Sequence, residues 1–325
     1  MSREKRTRLQ QNIATTHNRL NWLHTMLLLG GLVLIVALIG WLLAGGAGLF
    51  WAVILGGLSL IFGQQISPQL VLRMYRARPL APHEAPKLYE IVQELARRAG
   101  LRTVPTLYYV PSRILNAFAV GTKQDPAIGV TDGLLRALNL RELSGVLAHE
   151  MSHISNNDMR VMRIADAASR ITSLFSSFGK LLLFLNLPLL LMGAATISWW
   201  AVLLLIFAPL LSGLLQLALS RTREFDADLD AVQLTGDPVG LASALHKLER
   251  YSLNLWQQIL APGYRVPDPS ILRTHPHTKD RIERLMQLAT PEQRPQFIPE
   301  APLQLPAGLT PVHRQPGWNV LGFWA

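Results

Sequence analysis

The segment Val146-Leu147-Ala148-His149-Glu150-Met151-Ser152-His153 decides how the rest of the chain is read, because it contains H-E-x-x-H. On a helix, residues four apart share a face. His149 and His153 can therefore put two imidazoles on one metal ion, and zinc suits them best. Glu150 stands one step round the helix, beside such an ion without binding it, where it can take a proton from a water that the ion has acidified. A chance H-E-x-x-H in a chain of this composition has odds of about one in a hundred, so the motif needs context. Upstream, Asn139 followed three residues later by Glu142 reads as a capping box that opens the helix.

A catalytic zinc site usually takes three protein ligands and leaves one position for water. The third ligand is sought on another helix. Glu224-Phe225-Asp226-Ala227-Asp228 fits, because Glu224 and Asp228 are again four apart on one face. Glu224 can bind the metal, and Asp228 can accept the far N–H of a ligand histidine and fix its tautomer. Taken alone, an E-x-x-x-D is ordinarily a solvated helix face. Two charge-free apolar runs, residues 181–196 and 199–219, separate His153 from Glu224. Two membrane crossings would return the chain to one side, as a shared site requires.

Further outward, the composition also points to lipid. Half of the 325 residues are apolar and only 16% are charged, against roughly 25% in an ordinary soluble domain. Residues 1–20 are polar and basic; 22–43 and 49–66 are apolar, with small residues at 44–48 between them. Each run is long enough, or nearly so, to cross a hydrocarbon core of about 30 Å. The first run is too long for a secretory signal, and a second follows at once. The net charge of +10 is compatible with nucleic acid or a membrane surface. The basic residues crowd the flanks of the apolar runs, which favours the membrane and argues against a nucleic-acid partner. Lys and Arg are absent near 44–48 and 197–198, which places both termini and the soluble mass on the cytoplasmic side. With no cysteine, disulfides, thiolate ligands and a thiol nucleophile are excluded.

The expected organisation is a basic cytoplasmic N-terminus (1–20), a transmembrane hairpin (21–66), a first soluble part (67–180), a second hairpin (181–219), a second soluble part (220–290) and a Pro-rich, poorly ordered tail (291–325). Within the soluble parts, helical spacing marks residues 82–100, and β texture marks 106–110, 116–120 and 127–131. Asp237-Pro238 reads as a helix start.

Taken together, these stretches resemble the HtpX-type membrane zinc metalloproteases, relatives of the CAAX prenyl endoprotease. The matching segments are Asn116-Ala117-Phe118-Ala119-Val120-Gly121, Gly129-Val130-Thr131-Asp132-Gly133-Leu134, the helix over 142–158, residues 220–228, and Thr274-His275-Pro276. They span residues 70–288, and the leading hairpin matches too. The H-E-x-x-H with E-x-x-x-D is the specific part. The Pro-rich tail and His277 depart from the family pattern.

The resemblance implies a mainly α membrane protein. Four transmembrane helices would carry a cytoplasmic, helical, zincin-like metallopeptidase domain with a small β-sheet and one Zn²⁺ per chain. It implies that the strand bearing Asn116, Ala117 and Phe118 lies along the cleft and pairs with extended substrate, a mode in which backbone bonds bind many sequences alike. It also implies that His275 faces the reacting carbonyl and stabilises the oxyanion. The ordinary readings are a half-buried strand and a capping histidine. The family's substrates would be polypeptides, among them damaged or misfolded membrane proteins, in quality control and stress response at the inner (plasma) membrane. Two rivals stand beside this reading. One is a catalytically inactive zinc-binding membrane scaffold or receptor, which has no use for Glu150. The other is a transporter with a chance motif, for which no acidic residue inside the apolar runs supplies a coupling site.

Overall fold

A computed structural model describes residues 3–62, 68–193, 199–259, 278–289, 300–306, 309 and 311–312, without the side chains of 3–21, 59–62, 199 and 252–259. His275 and His277 lie outside the described residues. The chain divides into two compact units, residues 1–65 with 159–223, and 66–158 with 224–325.

The first unit is built from long apolar helices. Helix α1 (Arg3–Phe62) breaks at Ala44 and at Gly45, whose φ of 55° and ψ of −135° suit glycine alone. The break folds the chain back on itself. A Cβ on Gly48 would lie 1.8 Å from the Gly40 carbonyl oxygen, so the two legs cross where neither residue has a side chain. Helices α6 (Asp158–Leu185) and α8 (Trp199–Thr235) complete the unit. Leu32 and Val36 of the first leg, Ala52 of the second, Ala165 and Ile171 of α6, and Leu219 of α8 share one buried core. Among the described residues, two helices are long and apolar enough to cross a membrane, at Trp22–Leu58 and Trp200–Thr235.

The described part of the third apolar run, residues 181–193, is divided between two helices. Asn186 ends α6 and Pro188 opens the one-turn helix α7 (Leu187–Leu191). The segment that packs along α8 is instead 166–179: Asp166 bonds Gln216, Ser169 Oγ lies 2.9 Å from Ser212 Oγ, and Ser176 donates to the Leu205 carbonyl. A hydroxyl-rich stretch is therefore one partner of the fourth apolar run, beside Ile35 and Ile39 of α1, and residues 181–191 continue beyond it.

The second unit carries the small sheet. Its strands are β1 (Arg78–Pro79), β2 (Thr106–Val110), β3 (Ala117–Gly121) and β4 (Pro126–Thr131), in the order β1-β2-β4-β3. β2 and β4 are parallel and the other pairs antiparallel, so β3 is an edge strand. The unit also contains helices α2 (Pro68–Met74), α3 (Pro86–Arg98), α4 (Asp132–Ala137), α5 (Leu140–Ser155), α9 (Pro238–Ile259) and α10 (Thr278–Leu288). The helix expected over 82–100 begins only at Pro86. Asn139 caps α5 reciprocally with Glu142, and Asp237 accepts the Gly240 N–H at 3.0 Å at the start of α9.

The described part of the tail is attached rather than loose. Pro302 bridges Asn139, Leu140 donates to the Ala301 carbonyl, Arg141 pairs with Glu300, and Arg136 donates to the Leu309 carbonyl at 2.6 Å. Backbone groups make most of these bonds, and side-chain pattern does not announce them.

Candidate metal centre and active site

Helix α5 is a core helix. Every residue from Glu142 to Ser152 is buried, His149 and Glu150 included. Gly145 lets α9 approach, since a Cβ there would stand 3.0 Å from the Leu241 Cα. Burying a histidine and a glutamate on such a helix, with a second histidine half-buried beside them, is costly unless each polar atom has a partner.

The partners are present. His149 Nε2 and His153 Nε2 lie 3.2 Å apart, and Glu224 on α8 places its carboxylate oxygens 3.4 Å from the first and 3.8 Å from the second. Four ligands at the usual zinc bond length of about 2.0–2.1 Å stand about 3.3 Å from one another at tetrahedral corners. The two imidazole nitrogens have that spacing, and one ligand atom from each of the three residues lies within 4.8 Å of the others, close enough to converge on a single small cation. Among the described residues, His149, His153 and Glu224 are the group able to hold a metal ion.

The far nitrogen of each imidazole is also held. His149 Nδ1 lies 3.0 Å from Asp228 Oδ1, and His153 Nδ1 lies 2.8 Å from Asp158 Oδ2. With Nδ1 held by a carboxylate, Nε2 is the nitrogen that faces the centre. Arg281 of α10, only 2% exposed, ties the acids together. Its guanidinium donates twice to Asp228 at 2.6 Å and once to Glu224 at 2.8 Å, the forked geometry that arginine favours. Burial pushes the Asp228 carboxyl up, but the Arg281 charge and the His149 bond hold it below its ordinary range. Burial pushes the His149 imidazole down, and its hydrogen bonds to Asp228 and Glu224 outweigh this, raising it to about 10. The pocket favours positive charge.

Ser152 and Asn156 near the end of α5 both donate to Asp230 Oδ2, at 2.9 and 2.7 Å, which clamps α5 to α8 one turn beyond the ligands.

Glu150 points to the sheet edge, where its Oε2 accepts the Ala119 N–H at 2.9 Å. Thr131 N donates to the Asn116 carbonyl at 3.1 Å. Antiparallel pairs alternate, so Phe118 and Val120 direct their backbone groups at β4 while Ala117 and Ala119 direct theirs outward. The open edge of β3 thus runs past Glu150. Asn116 and Ala117 line a cleft together with His149, Glu150 and Arg281. The ring of Phe118 does not join them; it packs on Gly129 and lies 5.0 Å from Tyr75.

The residues that sequence reasoning missed are Asp158, Arg281 and the Asp230 clamp. Asp158 follows His153 by five residues across the turn at Asn157, whose φ is 58°, and helical periodicity cannot pair residues across such a turn. Arg281 shares the buried face of α10 with Leu285; an arginine at an apolar position was the available signal.

Comparison with known proteins adds an independent line. The profile of Peptidase family M48 matches residues 82–289. The chain is 38% identical over 304 residues to a protein named Protease HtpX homolog from Acaryochloris marina, covering 85% of this chain and 97% of that one. It is 34% identical over 288 residues to the Protease HtpX homolog of Ralstonia pickettii, covering 85% and 99%. Among solved structures, S. mikatae Ste24p aligns with a TM-score of 0.46 at 20% identity, over 84% of this chain and 66% of that one.

Proposed function

Because the chain belongs to peptidase family M48, we propose that it is a zinc-dependent integral membrane endopeptidase whose active site faces the cytoplasm. The observation that carries this reading is the convergence of His149 Nε2, His153 Nε2 and Glu224 beside Glu150 at an open strand edge. Zinc, when bound, supplies a Lewis acid and acidifies water towards neutrality.

The chain's own residues do the rest. Asp228 and Asp158 orient the two imidazoles. Glu150 accepts a proton from the attacking water and returns it to the leaving amine. The Ala119 N–H holds Glu150 against the strand, and the outward groups of Ala117 receive an extended substrate. His275 serves at the oxyanion by family likeness. Four crossings, two in each hairpin, place the ligand-bearing segments on one side of the membrane. The substrates are internal peptide bonds of damaged or misfolded membrane proteins, as the family resemblance implies. An inactive zinc scaffold is the second reading; an intact Glu150 beside the strand edge speaks against it.

Metal analysis of the purified protein, coupled to cleavage of casein, tests this. The wild type should carry about one zinc per chain and cleave. Glu150→Gln should keep its zinc and lose roughly 10²–10⁴-fold in turnover, the span for a positioned base. Near wild-type cleavage by that variant would overturn the mechanism.

A further inference from the structure

Helix α6 carries a polar stripe on a unit whose outer surface is largely apolar. Asp166, Ser169, Arg170, Ser173 and Ser177 recur at helical spacing and share one face. With Gln216 of α8 they line an open cavity of about 570 Å³, in which Leu174 is the one apolar lining residue. That volume lies in the range that holds a small molecule, roughly 300–1,000 Å³. Ionisable groups at the level of an apolar span are costly unless something pairs with them. On the inner side α8 does so: Gln216 donates to Asp166 Oδ1, and Ser169 pairs with Ser212. Towards the outside, Asp166 Oδ2 has no hydrogen-bond partner among the described residues. Arg170 is exposed, and no described carboxylate stands within ion-pair distance of it. The two charges act on one another without touching.

The order of chemistry along α6 matches the order along a phospholipid. The opposite charges of Asp166 and Arg170 stand one turn apart at one end. Ser173 follows, and Ser177 ends the cavity about 16 Å from Asp166. Leu174, 67% exposed, and Phe178, 56% exposed, lie beside the hydroxyls and lead away from the charges. Arg170 can take a phosphate, Asp166 Oδ2 an ammonium, and the serines the glycerol and ester oxygens. Leu174 and Phe178 can take the first part of an acyl chain. A phosphate and a primary ammonium joined by a short ethylene link form the headgroup of phosphatidylethanolamine. Lys180 lies outside the cavity, about 21 Å from Asp166 along the helix, too far to compete for the same phosphate. In the topology proposed above, α6 enters the membrane from the cytoplasmic side, which sets the charged end at the inner leaflet.

We propose that this groove binds an inner-leaflet phospholipid with a primary ammonium headgroup, with Arg170 on the phosphate and Asp166 on the ammonium. The charge layout discriminates among lipids. A trimethylated headgroup offers Asp166 no N–H, and a glycerol headgroup offers it no positive charge. A transmembrane segment could satisfy the hydroxyls, but paired opposite charges to match Asp166 and Arg170 are rare in such segments. The site rests on the membrane reading above and is independent of the peptidase chemistry, since none of its residues belongs to the metal centre.

Native mass spectrometry of the full-length protein, released from detergent with phosphatidylethanolamine, phosphatidylcholine or phosphatidylglycerol of identical acyl chains, tests this. The wild type should hold one phosphatidylethanolamine at least about tenfold more tightly than either other lipid, the worth of one charge-assisted hydrogen bond. Asp166→Asn should erase that preference, and Arg170→Gln should weaken all three lipids. Ser173→Phe fills the cavity from an exposed position and should also weaken all three, which keeps the test open if the Asp166 variant does not fold. Phosphorylethanolamine, the headgroup alone, should bind at least about tenfold more weakly than the lipid, because it lacks the carbons that cover Leu174 and Phe178. Equal binding of the three lipids by the wild type would overturn the site, as would a preference that survives Asp166→Asn or a bare headgroup that binds as tightly as the lipid. Displacement of every lipid by an apolar peptide bearing a single Asn would overturn it too, and would make the groove a surface for transmembrane segments. The wild type and all variants should float with liposomes; a wild type that does not would bring down the membrane reading instead, and the site with it.

Discussion

Helix α8 places two opposite surfaces on one continuous backbone. In its first half the exposed positions are large and apolar: Trp200 is 81% exposed, Phe207 55% and Leu210 60%. In its second half the buried positions are acidic: Glu224 is 6% exposed and Asp228 5%. A helix in water does the reverse on both counts. The first half has surface that only lipid or another apolar body would cover at no cost. The second half has charges that only counter-charges can keep buried, and Arg281 with His149 supplies them. One helix thus links an apolar anchor to an ionic site, and each half is unstable in the surroundings that suit the other.

The comparison fails outright if the apolar half does not lie in a membrane, so topology is its most severe test. A reporter fused after Gly46 should read as outside and one fused after Ala289 as inside. The reverse pattern would leave the ionic half on the wrong side for a cytoplasmic site.

Within the ionic half, Glu224→Ala should have the largest effect. Two imidazoles leave a zinc ion mostly solvated, and the carboxylate both completes and partly neutralises the site. Bound zinc and cleavage should both be lost. Full zinc occupancy with normal turnover would show that the third ligand lies elsewhere, near His275.

Asp228→Asn should do less to the chemistry. It leaves the ligands in place but weakens the grip on His149, typically a 10- to 100-fold loss in metal affinity or activity for such a partner. It also takes away the charge that Arg281 grips bidentately. Breaking a buried pair in this way costs about 3–5 kcal/mol, so the melting temperature should fall as well. A variant with unchanged affinity and unchanged melting would mean that the buried acids are not coupled to the site.

Several of these features were legible in the sequence because they obey short-range rules. The four-residue spacing of His149 and His153, the capping box at Asn139 and Glu142, the proline start at Pro238 and the three main strands each depend on residues near one another in the chain. The unread features depend on contacts between distant segments. Arg281 reaches Asp228 across 53 positions. The helical stretch 166–179 is too rich in Ser, Asp and Arg to register as apolar, and its depth becomes apparent only from its pairing with Ser212 and Leu205. Phe118, read with its neighbours as a cleft residue, points its ring the other way because Gly129 leaves room for it.

The smallest effect concerns a single proton. Before zinc binds, the buried carboxylates raise the His149 imidazole to about 10, so at pH 7 it carries a proton on a nitrogen that the metal needs. Binding must expel it. Zinc uptake at pH 7 should therefore release about one proton, and apparent affinity should climb about tenfold per pH unit until the pH approaches the raised value. Calorimetry in buffers of different ionisation enthalpy counts the proton directly. Asp228→Asn removes the hydrogen bond that contributes most to the rise, so His149 titrates lower, the released fraction at pH 7 falls and the pH slope flattens. Arg281 pulls the other way, since its charge lowers the imidazole; Arg281→Met should leave the proton more firmly held and the release at least as complete. Zinc binding without proton release in the wild type would mean that Arg281 alone neutralises the buried acids, and that the ionic half of α8 does not await a second cation.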